Sequence, residues 1–552
     1  MKRSCKLNLL QRFAMSLPVS RLFRRRLSLV FLSTAFLWTL SAAGATTQSG
    51  GTLCGGTRWE TPYYVQKSDR PGPTVLISGG VHGDEPAGAA AADQIRCWPI
   101  TSGTLIVLPR ANVPGLAAHT RLMPGVTADQ ANLNRNFPKA GQPGPATGQP
   151  ADAIWAWVQA MHTDWLVDLH EGTGVHGAGS TSVGSSLIVC PSPEAERMAG
   201  RMLDAVNDSI SDARKKFVHI GPPVDGSLAR AAGEHLKIRA MIAETSINDL
   251  PPPGKVKTAK VAVGTAKTKT AKKPSAVPRK QPLSRRVRQH RLMACCLLKE
   301  LDMLDAKFDP DQMPIALPAS PLAKRRPRVA LYDAGGTGGQ GEFAVERILR
   351  DRMEVLHVGP EEITAGALAH FDLLIVPGGS GSAEAKAIGE KGRGQIRHFV
   401  ENGGGYLGIC AGAYLATSGF DWSLKILNAK TVSSHWERGR ATLTIELTPE
   451  GRRILGDRPG MLEVLYHNGP VVCPAAIKDL PEYHVLAYFR TEVVKKNVPA
   501  GLMTGSPAIA IGRFGQGHVV FISPHPEQSA ALEDIVRNAA QWGIDGKSPP
   551  AK

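Results

Sequence analysis

The stretch TVLISGGVHGDEP, residues 74–86, joins a short apolar run to a glycine-rich turn that carries a histidine and two acids. The run Thr74–Ser78 has the length and composition of a buried strand. The glycines that follow allow a sharp turn, so that the side chains of His82 and Glu85 can converge on one ion. Open α/β sheets place their sites where strands end. The stretch therefore predicts an α/β domain with a functional site at the end of this strand.

Three more segments place polar residues next to predicted strands. They are residues 132–137 (NLNRNF), 168–171 (DLHE) and 243–245 (AET). A catalytic zinc takes three protein ligands of the imidazole and carboxylate types and leaves one position for water. His82, Glu85 and His170 form such a set, and Glu244 is a further carboxylate that can move the proton of that water. Together the segments predict a site for one zinc ion.

Two arginines and an asparagine are the candidate substrate-binding residues. Arg135 offers a planar fork that grips a carboxylate with two hydrogen bonds, and Asn134 precedes it in the chain. Arg121 lies upstream in a polar loop, where it would polarise the scissile carbonyl or stabilise its oxyanion. Asp168 lies two residues before His170 and therefore points to the same face of the strand, as a neighbour that orients the imidazole.

With these segments the chain resembles the succinylglutamate desuccinylase/aspartoacylase branch of the zinc carboxypeptidase superfamily, over about residues 70–305. The resemblance implies a mixed-sheet α/β/α fold and hydrolysis of an amide bond. It implies the same roles for the residues already named: metal ligands His82, Glu85 and His170, carboxylate-binding Asn134 and Arg135, and the proton-shuttling Glu244. Asn132 departs from the family's pattern, which commonly has an acid there. An amide is expected to support a ligand histidine less strongly.

A second constellation lies in the other half of the chain. The stretch YLGICAGA, residues 406–413, has the pattern of a strand, a Gly-x-Cys-x-Gly turn and the start of a helix. Small residues permit the strained turn that exposes a nucleophile at a helix N-terminus, which favours the thiolate of Cys410. His525 is a candidate base and Glu527 its orienting acid, so a Cys-His-acid triad is predicted. Residues 377–379 (PGG) are expected to supply an oxyanion-hole amide.

These motifs resemble class I glutamine amidotransferase-like domains, and more closely the version at the N-terminus of some biotin-protein ligases. The resemblance covers about residues 327–545 and rests on GICAGAY at 408–414, HNGP at 467–470 and HPE at 525–527. It implies a flavodoxin-like α/β domain. The alternative is that this fold serves for binding or as a scaffold, because a fold does not by itself confer a function.

The net charge of +17 resides in two segments. Residues 1–50 carry eight Lys or Arg and residues 251–290 carry twelve, with no acid in either, so the remainder of the chain is near −3. The basicity therefore belongs to a leader and an insertion, and we expect no specific nucleic-acid partner. Residues 251–281 are rich in Lys, Thr, Ala and Pro, which predicts a disordered insertion able to contact an anionic cell envelope.

Residues 1–45 have the pattern of a secretory signal peptide. Arg24–Arg26 precede the apolar run Leu27–Leu40, and AGA at 43–45 fits a small-x-small cleavage site. A run of about 14 apolar residues is short for a membrane span, which favours cleavage over a single-pass anchor. We therefore expect an exported protein, periplasmic or extracellular, with no transmembrane segment after cleavage.

The expected organisation is a signal peptide, two α/β domains and a proline-rich linker between them. The boundaries are 1–45 for the signal peptide, 46–308 for the zinc carboxypeptidase/deacylase-like domain, 309–326 for the linker and 327–546 for the amidotransferase-like domain. Seven cysteines follow the leader. In an oxidising compartment the odd number leaves one free thiol, for which Cys410 is the candidate, while the other six are available to pair.

The sequence favours an exported zinc-dependent hydrolase. Its predicted substrate is a small peptide, cleaved at its C-terminal residue, or an N-acyl amino acid, with zinc-bound water as nucleophile and Glu244 as general base and acid. One alternative places the principal chemistry at Cys410, His525 and Glu527, as an amidase-type hydrolase to which the zinc domain is accessory. A second alternative is a non-catalytic binding protein of the cell envelope.

Overall fold

The computed structural model describes residues 46–177, 181–250, 280–313, 325–433, 438–495 and 497–547. The predicted signal peptide and most of the predicted basic insertion lie outside these ranges. Among the helices of the described ranges, none combines the length and the apolar character needed to cross a membrane.

The first half is built on an eight-stranded mixed sheet with the order β1-β2-β4-β3-β5-β8-β6-β7. Its strands are β1 Thr46–Leu53, β2 Thr61–Ser68, β3 Thr74–Gly79, β4 Thr104–Leu108, β5 Trp165–Gly172, β6 Ser186–Val189, β7 Val218–Ile220 and β8 Arg239–Ser246. The four central strands β4, β3, β5 and β8 run parallel, so their carboxyl ends meet at one edge of the sheet.

Helices cover both faces of this sheet. They are α1 Pro86–Ile95, α2 Val113–Ala118, α3 Ala151–Met161, α4 Pro193–Asn207, α5 Leu228–His235 and α6 Leu283–Glu300. Successive residues of a strand point to opposite faces, so Val75 and Ile77 pack with α1, α4 and α6, whereas Leu76 packs with α3 and α5. This is the α/β/α arrangement that the sequence predicts.

Two strands at the site are longer than the apolar pattern indicates. The stretch at 165–168 belongs to a strand that continues to Gly172, and the stretch at 239–243 belongs to one that continues to Ser246. Polar residues occupy both extensions, and His170 pairs with Glu244 in the register of β5 and β8. The backbone ladder continues past the apolar run, and the polar side chains of both extensions are buried within the sheet.

The second half is built on a nine-stranded sheet with the order β10-β9-β11-β12-β19-β18-β17-β14-β15, beside a small β13-β16 pair. The strands are β9 Arg328–Tyr332, β10 Glu354–Val358, β11 Leu373–Val376, β12 Gly405–Ile409, β13 Ala429–Thr431, β14 Arg440–Leu447, β15 Met461–His467, β16 Val472–Pro474, β17 His484–Phe489, β18 Pro507–Phe514 and β19 Gly517–Ile522. The first five strands of the sheet are parallel and follow the flavodoxin-like order 2-1-3-4-5, as predicted.

Six helices pack on this second sheet. They are α7 Gly341–Leu349, α8 Pro360–Ala365, α9 Gly381–Glu401, α10 Ala411–Ala416, α11 Pro449–Leu455 and α12 Glu533–Asp545. The long helix α9 is interrupted at Gly389. The many small and charged residues of its first part conceal the helical period in the sequence.

The first turn of α6 is capped by a residue of the second half. The backbone amide of Leu283 donates to Asp333 Oδ2 at 2.7 Å, and the Ser284 hydroxyl donates to the Asp333 carbonyl. His357 Nδ1 lies 3.0 Å from the same carboxylate. Further along α6, Arg291 forms a buried ion pair with Glu362 of α8. The two sheets are therefore joined by hydrogen bonds and charges that are removed from water.

Two further features concern the chain between and within the domains. Inside the predicted linker 309–326, Pro310–Gln312 form a 3-10 helix, and Asp311 accepts a hydrogen bond from Arg288 Nη2 at 2.7 Å. None of the seven described cysteines forms a disulfide. Cys190, for example, lies among the packed side chains of the core, where its thiol donates to a backbone carbonyl 3.2 Å away.

The contacts of His357 with Asp333 and Glu346 predict that the stability of the protein depends on pH. Burial opposes the charge on His357, but hydrogen bonds to Asp333 and Glu346 raise its pKa to about 10. Because that pKa is about 6.5 in an unfolded chain, the stabilisation is fully present below about pH 6.5 and is lost as the pH rises through about 10. We expect His357→Gln to lower the free energy of unfolding by about 2 kcal/mol near pH 6 and by much less at pH 10.

Urea denaturation of both proteins across this pH range measures the difference. The exposed His398 of α9, changed to Gln, is the matched control and should show no such trend. An unfolding free energy that changes equally in His357→Gln at pH 6 and pH 10 would contradict the ion-pair account.

Candidate metal centre and thiol site

Glu85 brings two imidazoles together at the end of β3. Its Oε1 lies 2.9 Å from His82 Nδ1, and its Oε2 lies 3.0 Å from His170 Nδ1. Ligand atoms of the three residues all lie within 4.8 Å of one another, and all three side chains are buried. The turn that allows this is fixed by Gly83, where a Cβ would lie 1.9 Å from the backbone of Gly115.

The outer nitrogens of both imidazoles are held by other side chains. His170 Nε2 lies 2.8 Å from Asp168 Oδ2, and His82 Nε2 lies 3.2 Å from Asn132 Oδ1. Asp168 is itself held by the Ser78 hydroxyl, which donates to it at 2.7 Å. Such partners fix the orientation of each ring, so each Nδ1 faces Glu85 and is the atom that would bind a metal ion. The donor set and its support fit one zinc ion.

Asn132 occupies the supporting position despite its departure from the family's pattern. Its Oδ1 also accepts the amide N–H of Asn134 at 3.1 Å, so one neutral oxygen serves two donors. On the other imidazole, burial opposes the charge of His170, but the carboxylates of Asp168 and Glu85 hold its pKa well above the usual range. The outer nitrogen of His170 is therefore held by an acid, whereas that of His82 is held by an amide.

Glu244 is a second buried carboxylate beside this set. It lies opposite His170 in the β5–β8 register, and it is 7% exposed. Within the described residues, its Oε2 has no hydrogen-bond partner. Burial raises the pKa of Glu244 to about 8, with the charge of Glu85 adding to the rise and that of His170 opposing it. A carboxyl group in this state exchanges a proton readily near neutral pH.

The predicted substrate-binding residues comprise two exposed arginines and one buried asparagine. Arg121 contacts Glu85 Oε1 through Nη1, and 47% of its side chain is exposed. Burial, and then the neighbouring charge of Arg121, lowers the pKa of Arg135. Asn134 is buried, and its Oδ1 accepts the N–H of Leu228 at the start of α5. Of the three, only the arginines offer charge to a ligand at the surface.

Sequence reasoning missed a buried ion pair behind the metal set. Glu171 contacts Arg286 of α6 through Oε1, and its Oε2 accepts the N–H of Ala87 at 2.7 Å. Its own N–H donates to Glu85 Oε2 at 3.1 Å. Glu171 directly follows the predicted ligand His170, which is the one signal in the sequence. Arg286 gives none, because it lies in the basic run at 251–290, whose charge pattern indicates solvated residues.

The predicted thiol triad comes together at the end of β12. Cys410 has a backbone φ of +52° and is 5% exposed. His525 Nδ1 lies 2.7 Å from Glu527 Oε1. Burial opposes the charge of His525, but hydrogen bonds to Cys410 and Glu527 raise its pKa to about 10. The helix that follows, α10, has only six residues, so His525 is the principal charged group beside the thiol.

A cavity of about 640 Å³ opens over Cys410. Gly378 and Gly379 from the predicted oxyanion segment line it, together with His525 and Glu527. A Cβ on Gly378 would lie 2.7 Å from the His525 ring, so a side chain there would displace the imidazole. The triad is therefore accessible to a small molecule, and the segment 377–379 lies beside the thiol as expected.

Residues 71–226 match the family model described as the succinylglutamate desuccinylase/aspartoacylase catalytic domain. That range contains the three residues of the metal set. The first half of the chain carries a domain of this family. Residues 343–435, which include Cys410, match the model described as biotin-protein ligase, N terminal. Glu244, His525 and Glu527 lie outside both matched ranges.

The chain is also similar to individual proteins. N-alpha-acetyl-L-2,4-diaminobutyric acid deacetylase of Halomonas elongata is 38% identical over 106 residues, which is 18% of this chain and 29% of that relative. A tripeptide-bound structure of Csd4 from Helicobacter pylori is 18% identical over 47% of this chain and 62% of its own, with a TM-score of 0.31. The product-bound ectoine utilization protein EutE (DoeB) from Ruegeria pomeroyi is 19% identical over 48% and 69%, with a TM-score of 0.31.

The donor set predicts metal binding that specific substitutions weaken. We expect the purified protein to retain one zinc ion per chain and Glu85→Gln to lose it. Asp168→Asn should weaken zinc affinity about 10- to 100-fold, because it releases the outer nitrogen of His170. Competition with a chromogenic chelator measures each affinity.

His176→Gln is the control for these metal-binding variants. His176 follows the set in the chain, but its Nδ1 lies 2.9 Å from the Ser182 carbonyl and it is not part of the donor set. Equal zinc affinity in the wild type and in Glu85→Gln would rule out this assignment of the ligands.

Proposed function

We propose that the first domain is a zinc-dependent hydrolase of amide bonds. The observation that supports this most is the meeting of two imidazoles and the Glu85 carboxylate at one buried place, with Glu244 opposite His170 on the neighbouring strand. A zinc ion held there supplies Lewis acidity and lowers the pKa of water. The family match over residues 71–226 agrees with hydrolysis of this kind.

Glu244 carries the proton in this reaction. Its carboxylate takes a proton from the attacking water as the water oxygen bonds to the carbonyl carbon. It then gives a proton to the leaving nitrogen as the C–N bond breaks, so the products are a carboxylic acid and an amine. The unpartnered Oε2 of Glu244 leaves one carboxylate oxygen available for this transfer.

Arg135 and Arg121 select the substrate. A carboxylate on the substrate binds Arg135, and the amide of Asn134 supports that loop. Arg121 acts at the scissile carbonyl, where its charge stabilises the oxyanion as it forms. Arg121 also contacts Glu85. The preferred substrates are small peptides with a free C-terminus and N-acyl amino acids.

We also propose that the enzyme acts outside the cytoplasm, in the periplasm or the extracellular space. The support is the leader pattern of residues 1–45, with its arginine run, apolar run and small-residue cleavage site. The basic segment 251–281 would then contact an anionic cell envelope.

Glu244→Gln separates proton transfer from metal binding. The amide cannot accept the proton, so we expect kcat to fall about 10²- to 10⁴-fold while zinc content is unchanged. The measurement is turnover of a panel of N-acyl amino acids and short peptides, with zinc quantified on the same samples.

Cys410→Ser is the comparison that distinguishes the two domains. It should keep the full rate on these substrates. If Glu244→Gln keeps that rate and Cys410→Ser loses it, the chemistry belongs to the second domain.

A second candidate function is thiol-dependent acyl transfer to water at Cys410. The observation that favours it is the His525–Glu527 contact of 2.7 Å beside a cysteine held at φ +52°. The thiolate attacks the carbonyl carbon, and His525 gives a proton to the leaving nitrogen as a thioester forms. Water then attacks the thioester, passing a proton back to His525, and the acid is released.

Acylation of Cys410 tests this second function directly. We expect p-nitrophenyl acetate to add an acetyl group to the peptide that contains Cys410, detected by mass spectrometry. Glu527→Gln should slow this about 10²- to 10⁴-fold because His525 loses its orienting acid. Glu85→Gln, which lacks the metal ligand, should acylate at the normal rate, and a Cys410 peptide without acetyl in the wild type would remove this function.

A further inference from the structure

The cavity over Cys410 has an aromatic wall. Phe420 stacks on Trp422 with ring centroids 4.6 Å apart and planes 13° from parallel, and Tyr414 lies 6.1 Å from Phe420. All three rings line the cavity, and Phe420 and Trp422 are only partly buried. Flat rings that are already stacked lose little freedom when a further flat group packs on them. This wall therefore suits a planar apolar part of a ligand.

Arg440, at the start of β14, contributes a positive charge to the cavity wall. Arg440 pairs in register with His467, whose backbone carbonyl lies 3.4 Å from the Cys410 sulfur, so the guanidinium is carried on the strand beside the thiol. Among the described residues, no carboxylate forms an ion pair with Arg440, and its side chain lines the cavity. A guanidinium without an acid partner at a cavity wall is a site for an anion.

The other charges of the cavity do not cancel that of Arg440. Glu527 is buried and is occupied by His525. Burial, and then the charges of His525 and Arg440, lower the pKa of His467, which keeps this ring neutral at physiological pH. Cys410 and Glu527 are both paired with His525. Among the described lining residues, Arg440 therefore keeps a charge that no acid pairs with, and an anionic ligand is favoured there over a neutral one of the same shape.

We propose that the cavity over Cys410 binds an amide that carries a carboxylate, placed at Arg440, and a planar apolar group, placed against Phe420 and Trp422. Binding of this ligand class needs no thiol chemistry. Only the cleavage of its amide bond rests on the second candidate function. The volume of about 640 Å³ accommodates both groups together with the scissile bond. The bonds formed and broken are those given above for thioester formation and hydrolysis.

Two alkylating reagents of similar size test the role of Arg440. Iodoacetate carries a carboxylate and iodoacetamide does not, and the modified Cys410 peptide is quantified by mass spectrometry. The ratio of the two rates should fall about tenfold in Arg440→Gln and recover in Arg440→Lys. Arg513→Gln, an exposed arginine of β18 that does not line the cavity, removes the same charge elsewhere and should keep the wild-type ratio.

Protection of Cys410 from iodoacetamide tests the two halves of the ligand together. Phenylacetate should protect better than acetate, which lacks the ring, and better than phenylacetamide, which lacks the charge. In Trp422→Leu, phenylacetate should protect no better than acetate. In Arg440→Gln, phenylacetate should protect no better than phenylacetamide. An alkylation ratio unchanged in Arg440→Gln, or equal protection by all three compounds, would overturn the proposal.

Failure of the thiol chemistry gives a different result. Cys410 would then show the alkylation and protection preferences described above but no acetyl adduct with p-nitrophenyl acetate. That outcome supports the ligand class and removes the second candidate function.

Discussion

The buried carboxylate of Glu85 is the group on which the first domain converges. An ionised carboxylate taken out of water is costly unless it is hydrogen-bonded and paired. Burial opposes ionisation here, but hydrogen bonds with His170 and His82 hold the pKa of Glu85 well below its usual range. Those partners come from two parallel strands, β3 and β5, which must therefore end at the same edge of the sheet. The fold places the two histidines at one edge of the sheet, and hydrogen bonds to the Glu85 carboxylate hold them close together.

Much of this centre could be predicted from the sequence because its chemistry is local. His82 and Glu85 share one turn, His170 follows an apolar run, and Glu244 follows another. What could not be predicted was the support behind them. Glu171 and Arg286 are 115 residues apart, and no periodicity relates them. Their pairing depends on how α6 packs against the sheet, which is a property of the tertiary structure alone.

The fold, like the metal set, could be predicted only in part from the sequence. Continuous apolar runs made β3 and β9 recognisable as buried strands, since apolar residues pack on both faces of a parallel sheet. Polar residues concealed the ends of β5 and β8, and small residues concealed the first part of α9. The described cysteines form no disulfide, and an odd count of cysteines says nothing about which thiols approach one another. In each case the information lay in contacts distant along the chain.

Both candidate sites lie at the carboxyl end of a central parallel strand, one in each half of the chain. In each, the candidate residues come from neighbouring strands: Glu244 of β8 lies opposite His170 of β5, and Cys410 follows β12 whereas His525 follows β19. The sites differ in charge. The first gathers carboxylates around a place for a cation, whereas the cavity over Cys410 has the unpaired guanidinium of Arg440 at its wall. The ligands proposed for the two sites therefore differ in charge.

Because Asp333 of the second half caps α6 of the first, we do not expect the two halves of the chain to keep their structure when they are separated. A shortened chain ending after Met313 would leave the Leu283 amide, the Ser284 hydroxyl and the Arg291 guanidinium without the partners they have here. The helix exposed in this way is also the one that carries Arg286 to Glu171. Recombination that exchanged the second half for an unrelated domain would thus disturb the first, so the pair is expected to be inherited as one piece.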